Sequence, residues 1–407
     1  MAPRSLSVRA ALATAPPAAS FVCGAGCSIP ETLLDGLAER AHSQPGDTLS
    51  AGLLIGELAF LDAVEAGQLK FRTWHVTARA RRLVAAGKAS YVPLRASDVA
   101  QSLRIGFDAC LVRVSPPDAA GYCSLGPSLT YIRRALHASR RVIAEVDPAM
   151  PWTSGDTRVR WDDLTAVVES GKPMPEYRSA IDPVADQIAA TVTALLPEHP
   201  TLQLGIGAVP EAVARYLLST DIGGLTFLGM ATDAMADLME AGAAESIDAV
   251  ELLGSAGLMR FADRNTRLRM ISSDHCHDPQ QLARRPRFTS VNSAIAIDLS
   301  GQAALEGLGT RIVSGIGGSV DFFEGARMAC AGRRILAMTA SAPDGTSRIH
   351  ARLPAGTPIT LPRHLVDFVV TEYGVARLSG SSVCERAEAL IAIAAPEHRE
   401  QLAQTSR

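Results

Sequence analysis

Three stretches of the chain combine residue types and spacings that could do chemistry. In Gly205-Ile206-Gly207 two glycines link a strand-like pattern, Leu202, Leu204 and Ile206 alternating with Gln203 and Gly205, to the alanine-rich segment Glu211 to Leu218 with apolar residues at helical spacing. A strand, a glycine turn and a helix in that order bring backbone N–H groups close to an anion or a polar cofactor, although a GxG turn alone also serves as an ordinary tight connection. The segment Ser314 to Phe322 repeats the theme, with Gly315, Gly317 and Gly318 ahead of Ser319. His275-Cys276-His277 sets a thiol between two imidazoles. In an extended segment the histidines share one side while Cys276 and Asp274 share the other, so a nucleophilic Cys276 needs a base from elsewhere in the fold. A metal held by two such histidines needs a third ligand, and none is evident, so no metal is expected.

The elements that must position these groups follow from length and pattern. A chain of 407 residues is too long for one ordinary core and predicts two domains. With 47% hydrophobic and 20% charged residues it is globular, and 39 Lys and Arg against 42 Asp and Glu give a net charge of −3, leaving no basic surplus for nucleic acid. Seven cysteines, an odd number, with no secretory signal predict a reduced, cytoplasmic protein. Pro16 and Pro17 break the apolar run near the start, and nothing elsewhere reaches about 18 uninterrupted apolar residues, so no membrane span is expected. Cys23-Gly-Ala-Gly-Cys27 lacks a second ligand pair at zinc-like spacing and reads as a flexible turn.

In chain order, residues 29–50 read as a helix closed by Pro45-Gly46, and Leu53 to Val64 as an apolar stretch entering the first sheet. A helix from Arg79 to Ala86, a short strand Tyr91 to Leu94, and strands at Asp108–Val114 and Arg141–Asp147 follow. Between Glu169 and Pro183 the chain is rich in Gly, Pro and charge without periodicity, which marks a linker. A helix from Ala185 to Leu196 opens the second half, which continues with a strand Ile247–Leu253 and a turn plus helix Gly254–Phe261. The expected fold is α/β: two similar open domains, residues 1–182 and 183–407, with ligands taken in the cleft between them.

Longer motifs give this pattern a resemblance. TLQLGIGAVPEAV, the block Ser115 to Gly126 (SPPDAAGYCSLG), the loop Pro148 to Asp156, the segments Ser290 to Gln302 and Ser314 to Phe322, and Thr371-Glu-Tyr-Gly-Val-Ala376 resemble the acetyl-CoA hydrolase/transferase family of class I CoA-transferases from about Thr77 to Pro396. In SPPDAAGYCSLG, Cys123 reads as a small buried residue and Ser124 as part of a rigid connector. The family's Glu-Met-Phe/Ile-Ser-Asp-Gly block matches Met230-Ala231-Thr232-Asp233-Ala234 in register, so its catalytic glutamate falls on Gly229. Ala296 and Ser319 likewise stand where a glutamate and a glutamine are usual.

The resemblance implies a coenzyme A thioester as substrate and no redox cofactor. Gly205, Gly207, Gly315, Gly317, Gly318 and Ser319 are then the residues lining its groove. It also implies a divergent enzyme that hydrolyses or transfers an acyl thioester without a covalent glutamyl-CoA intermediate, since family members use a carboxylate nucleophile and Gly229 has none. Two alternatives stay open: an ordinary transferase using another carboxylate, or a non-catalytic binding or partner protein on the same scaffold. Asp233, Glu240 and Glu372 are acidic in the family as well and read as structural. The replacement catalytic residue is unassigned, with Cys276, His275 and His277 the candidates the sequence offers. An acyl carrier protein as thioester donor and a homodimer complete the expected partners.

Overall fold

The computed structural model describes residues 3–56, 58–179 and 182–405. By compactness the chain forms two units: residues 1–178 with 248–276, and residues 179–247 with 277–407.

The first unit is built on an eight-stranded sheet whose order is Arg4–Ser5, Ala166–Glu169, Val142–Val146, Ala109–Val114, Ser20–Cys23, Thr48–Ala51, Lys70–Thr73 and Ala89–Tyr91. Every pairing is parallel. From Ser20–Cys23 the chain moves outward through three strands, then returns to the other side of Ser20–Cys23 to lay down Ala109–Val114. That reversal puts the loops leaving Ser20–Cys23 and Ala109–Val114 at a topological switch point, where open α/β sheets bind ligands beyond the carboxyl ends of their strands.

The strand Ala109–Val114 is buried throughout, as a central parallel strand must be. Its one charge, Arg113, is 1% exposed and is matched by two carboxylates. Its Nε donates to Asp147 Oδ2 at 3.0 Å, and Glu145 Oε1 lies 3.9 Å from the same guanidinium. Glu145 also accepts from the Thr32 and Leu33 N–H groups and so caps the helix Glu31–Ser43, tying that helix to the sheet.

Two local expectations are corrected. The expected helix over 29–50 ends at Ser43, because the turn at Pro45-Gly46 releases the chain into the strand Thr48–Ala51. Among the described residues Leu53 to Val64 contributes no strand to the sheet, only an isolated parallel bridge between Leu54 and Gly26. Leu53 and Gly56 take positive φ, 51° and 88°, which breaks an extended run, and Phe60–Glu65 is helical. Cys23-Gly-Ala-Gly-Cys27 is a packed loop with both cysteines fully buried. The Gly26 N–H donates to Leu53 O at 2.8 Å.

The second unit has the same logic. Thr201–Leu204 pairs in parallel with Leu225–Ala231 on one side and Phe288–Asn292 on the other, and Arg333–Ala337 and Phe368–Thr371 extend the sheet beyond Phe288–Asn292. Gly374–Arg377 closes that edge antiparallel. The chain leaves Thr201–Leu204 toward Leu225–Ala231 and later returns to its other side, so the Gly205–Gly207 turn occupies the corresponding switch point. The helix Pro183–Ala194 starts on an Asp182 cap with proline in its first turn and packs on the helix Ala208–Leu217.

Candidate functional site

In the second unit the turn does what its glycines allow. Gly207, at φ +120° and ψ 179°, caps the helix Ala208–Leu217, and a Cβ on it would meet nothing within 4 Å. Gly205 is needed for a different reason. A Cβ there would lie 2.9 Å from Asn292 Oδ1. Asn292 belongs to a buried polar triad across neighbouring strand ends: Ser290 Oγ donates to Gln203 Oε1 at 2.5 Å, and Asn292 Nδ2 donates to the same oxygen at 2.9 Å. With Oε1 taken by both donors, the Gln203 carboxamide is fixed in place although only 2% of the residue is exposed.

Gly229 stands beside this triad, inside the strand Leu225–Ala231 and four residues before the helix Asp233–Glu240. Its φ is +105°, and a Cβ would lie 3.3 Å from Gln203 Cγ and 3.1 Å from Phe322 Cζ. A positive-φ position near a strand-to-helix turn is the setting in which hydrolases elsewhere present a nucleophile; here it is glycine, which takes that conformation without strain and carries no side chain.

Of the second glycine group, Gly317 has φ +61° and open space around its missing Cβ, Gly315 is buried, and Ser319 begins the helix Ser319–Met328 with its hydroxyl donating to Ile316 O at 3.0 Å. Gly318 faces the His277 ring, which would stand 2.5 Å from a Cβ there, and His277 packs on Phe322 with ring centroids 4.7 Å apart. Phe322 therefore joins His277 and Gly318 to the neighbourhood of Gly229. Within the triplet 275–277, Ser273–Cys276 is a single helical turn rather than an extended segment, His275 is exposed, and Cys276 and His277 are buried.

The other carboxylates are placed as follows. Glu372 Oε2 accepts from the Ala340 N–H at 2.9 Å, and Glu240 is exposed. Asp233 starts its helix, and Glu211, in the first turn after Gly207, has a carboxyl raised above the usual range by burial. Among the described residues no group of three or more His, Cys, Asp or Glu could hold a metal, and no helix is long and apolar enough to cross a membrane.

The first unit carries a cluster that the sequence reading missed. At its switch point the loop after Ser20–Cys23 meets the segment 125–131 and Glu251, on the part of the strand Ala244–Leu252 that belongs to this unit. Residues 127–129 run antiparallel to 250–252: the Leu252 N–H donates to Pro127 O at 2.8 Å, and the Leu129 N–H to Val250 O at 2.8 Å. That pairing sets Ser128 Oγ 2.5 Å from Glu251 Oε2, to which it donates. Burial pushes the Glu251 carboxyl up to about 8, against the Ser128 hydroxyl and the Cys27 N–H, which favour its charged form. Tyr131 stands alongside, its hydroxyl donating to Cys23 O at 2.9 Å and its ring edge-on to Trp74 at 4.8 Å. Two sequence signals pointed here: Gly24-Ala25-Gly26 follows its strand as Gly205-Ile206-Gly207 follows its own, and Glu251 interrupts an otherwise apolar run from Ala249 to Leu253.

Comparison with known proteins gives the arrangement a family. The family model for the acetyl-CoA hydrolase/transferase N-terminal domain matches residues 20–176, and that for the C-terminal domain matches residues 254–406. The 4-hydroxybutyrate coenzyme A transferase of Clostridium kluyveri is 36% identical over 336 residues, covering 79% of this chain and 78% of that protein. The crystal structure of RipA from Yersinia pestis superposes with a TM-score of 0.91 at 27% identity, covering 99% of this chain and 97% of that one. The structure of 4-hydroxybutyrate CoA-transferase from Porphyromonas gingivalis gives 0.79 at 27% identity, covering 98% and 96%. Two glycine-lined switch points and these matches make acyl-CoA transfer or hydrolysis the class of chemistry, and the chain belongs to the acetyl-CoA hydrolase/transferase family.

Proposed function

We propose that this protein cleaves an acyl-CoA thioester, by hydrolysis or by transfer to an acceptor that is not a carboxylate, without a covalent glutamyl-CoA intermediate at position 229. The observation that carries this reading is Gly229 itself: a positive-φ position beside Gln203 and Phe322, with no carboxylate to attack. What remains is the capacity to hold a thioester and polarise its carbonyl. The Gly205–Gly207 turn and the Gly315–Ser319 turn offer backbone N–H groups at the starts of two helices, and such donors stabilise a developing oxyanion without a nucleophile of their own. Gly205, Gly207, Gly315, Gly317, Gly318 and Ser319 hold the pantetheine and phosphates in this reading, and His275, Cys276 and His277 do not share one catalytic role. CoA or an acyl carrier protein delivers the acyl group to a cytoplasmic homodimer whose domains, in chain order, are 1–182 and 183–407.

Incubation with acetyl-CoA, butyryl-CoA and succinyl-CoA, with free thiol followed in solution and borohydride added to trap any protein-bound CoA thioester, tests the reading. Thiol release without a trapped adduct is the expected result. A trapped adduct assigns the protein to ordinary CoA transfer, and calorimetry showing no affinity for any of the thioesters assigns it to binding something else.

A further inference from the structure

We infer that Glu211 is the general base of this enzyme, taking the proton from the water that attacks a thioester held at the Gly205–Gly207 turn; the inference rests on the hydrolytic form of the function proposed above. Glu211 belongs to the same unit as that turn. Its N–H donates to Gly207 O at 3.1 Å, which puts it one helical turn after the capping glycine and on the same face. Helical side chains lean toward the N-terminus, so the carboxyl is carried back toward the turn. Residues 205–208 and Glu211 are all partly open to solvent, and Gly207 caps the helix without a side chain. Water and a ligand therefore have access to the first N–H groups of the helix and to the carboxyl.

Thr232 supplies an independent observation. Thr201–Leu204 and Leu225–Ala231 are parallel neighbours, so Glu211 and Thr232 follow adjacent strand ends. Thr232 stands at the N-cap of Asp233–Glu240 with extended backbone, φ −124° and ψ 173°, yet its side chain does not cap that helix. It is 7% exposed, and its Oγ1 makes no hydrogen bond of ordinary length among the described residues. The carboxyl it acts on is that of Glu211, whose charged form it favours. A buried hydroxyl released from capping and turned to a carboxylate is left to hold a water bound there.

The charges around Glu211 suit a proton carrier. Burial holds its carboxyl above the ordinary 4.5, against the Thr232 hydroxyl and Arg215, while Asp233 and Asp237 of the neighbouring helix add to the rise. Arg215 is itself engaged by Asp186 of Pro183–Ala194 at 3.2 Å, and among the described residues no cation forms an ion pair with Glu211. The strand under the helix, Thr201–Leu204, brings no charge. A carboxyl in the first turn of a helix is ordinarily held low by the helix dipole, and a raised one is better matched to proton transfer near neutral pH.

In the step itself, the Glu211 carboxylate takes a proton from water as the water oxygen bonds to the thioester carbonyl carbon. The tetrahedral intermediate collapses with cleavage of the carbon–sulfur bond. The departing CoA thiolate receives the proton from Glu211, leaving the free acid and the free thiol and returning the carboxylate.

The test is steady-state hydrolysis of the acyl-CoA that wild type cleaves best, measured from about pH 4.5 to 9 for wild type, Glu211→Gln, Glu211→Asp and Thr232→Val. A parallel incubation with hydroxylamine is followed by mass spectrometry of the protein. Expected are a wild-type rate rising to a plateau through a midpoint above 4.5, and a loss of roughly 100-fold or more in kcat with little change in KM for Glu211→Gln. Glu211→Asp keeps the midpoint at a reduced rate. Thr232→Val, which removes a group favouring the charged form, moves the midpoint upward, a displacement that a merely structural side chain would not produce. A hydroxamate mapped to Glu211 overturns the base in favour of a nucleophile, and its absence beside product supports the base. Full wild-type activity in folded Glu211→Gln sinks the base while leaving the hydrolytic reading intact. Absence of thiol release from wild type sinks both, and if Glu211→Gln does not fold, an unmoved midpoint in Thr232→Val overturns the proposal.

Discussion

The carboxyl of Glu251 occupies the place that a side chain on Gly26 would need. The clash distance is 1.8 Å and Gly26 itself sits at φ +54°, so two constraints, space and backbone conformation, fall on one residue. Gly26→Ala is expected to lose about 2–5 kcal/mol, combining the left-handed backbone with displacement of a buried, anchored carboxyl. Pairing it with Glu251→Ala should return part of that loss, and a urea-denaturation double-mutant cycle showing a coupling of at least about 1 kcal/mol is the expected outcome. Strict additivity would mean that the two residues do not compete for this space.

Placing a carboxylate at position 229 is the sharpest check on the proposed chemistry. Gly229→Glu places a side chain at φ +105° between Phe322 and Gln203, which should cost about 1–3 kcal/mol in strain while leaving the protein folded. Incubated with acyl-CoA, this variant should accumulate a borohydride-sensitive CoA thioester on the protein, and Gly229→Ala should not. A folded Gly229→Glu that never forms the adduct would mean that position 229 does not face the thioester carbonyl.

The Glu251 carboxyl also sets a pH dependence of stability. Its ordinary value is 4.5 and its folded value about 8. Below 4.5 both folded and unfolded chains hold the proton and its contribution is fully present. Between 4.5 and 8 the unfolded chain gives the proton up first, so stability declines by about 1.4 kcal/mol per pH unit, and above 8 the decline stops. Melting temperatures of wild type should therefore fall relative to Glu251→Gln across that window, and parallel curves would contradict the assignment.

Arg113 offers a prediction on the scaffold alone. Arg113→Met leaves Asp147 and Glu145 facing each other in the buried layer of the first unit, and a loss of about 3–5 kcal/mol is expected in chemical denaturation. A loss under about 1 kcal/mol would mean that the carboxylates find other partners at little cost.

Much of this was readable from residues alone, and the reasons differ by region. Strand Thr201–Leu204 and its glycine turn announced themselves because alternation and glycine are local signals. Asp108 to Val114 was legible as a strand because a buried parallel strand is apolar along its length. Leu53 to Val64 misled because an apolar run has no period of its own, and the backbone reversal at Leu53 and Gly56 depends on neighbours far along the chain. The division of the chain into units hides a swap in which residues 248–276 pack with the first half, so chain order alone could not bring Glu251 to Gly26. Nor could it show Phe322 holding His277 close to Gly229, since that contact joins residues more than forty positions apart.

The backbone at Gly229 has a consequence for descent. A longer residue held at φ +105° would sit in a conformation that only glycine adopts comfortably, so exchange for glycine at this backbone relaxes the strand. The return change must climb the same slope. A step that is downhill in stability one way and uphill the other works as a ratchet.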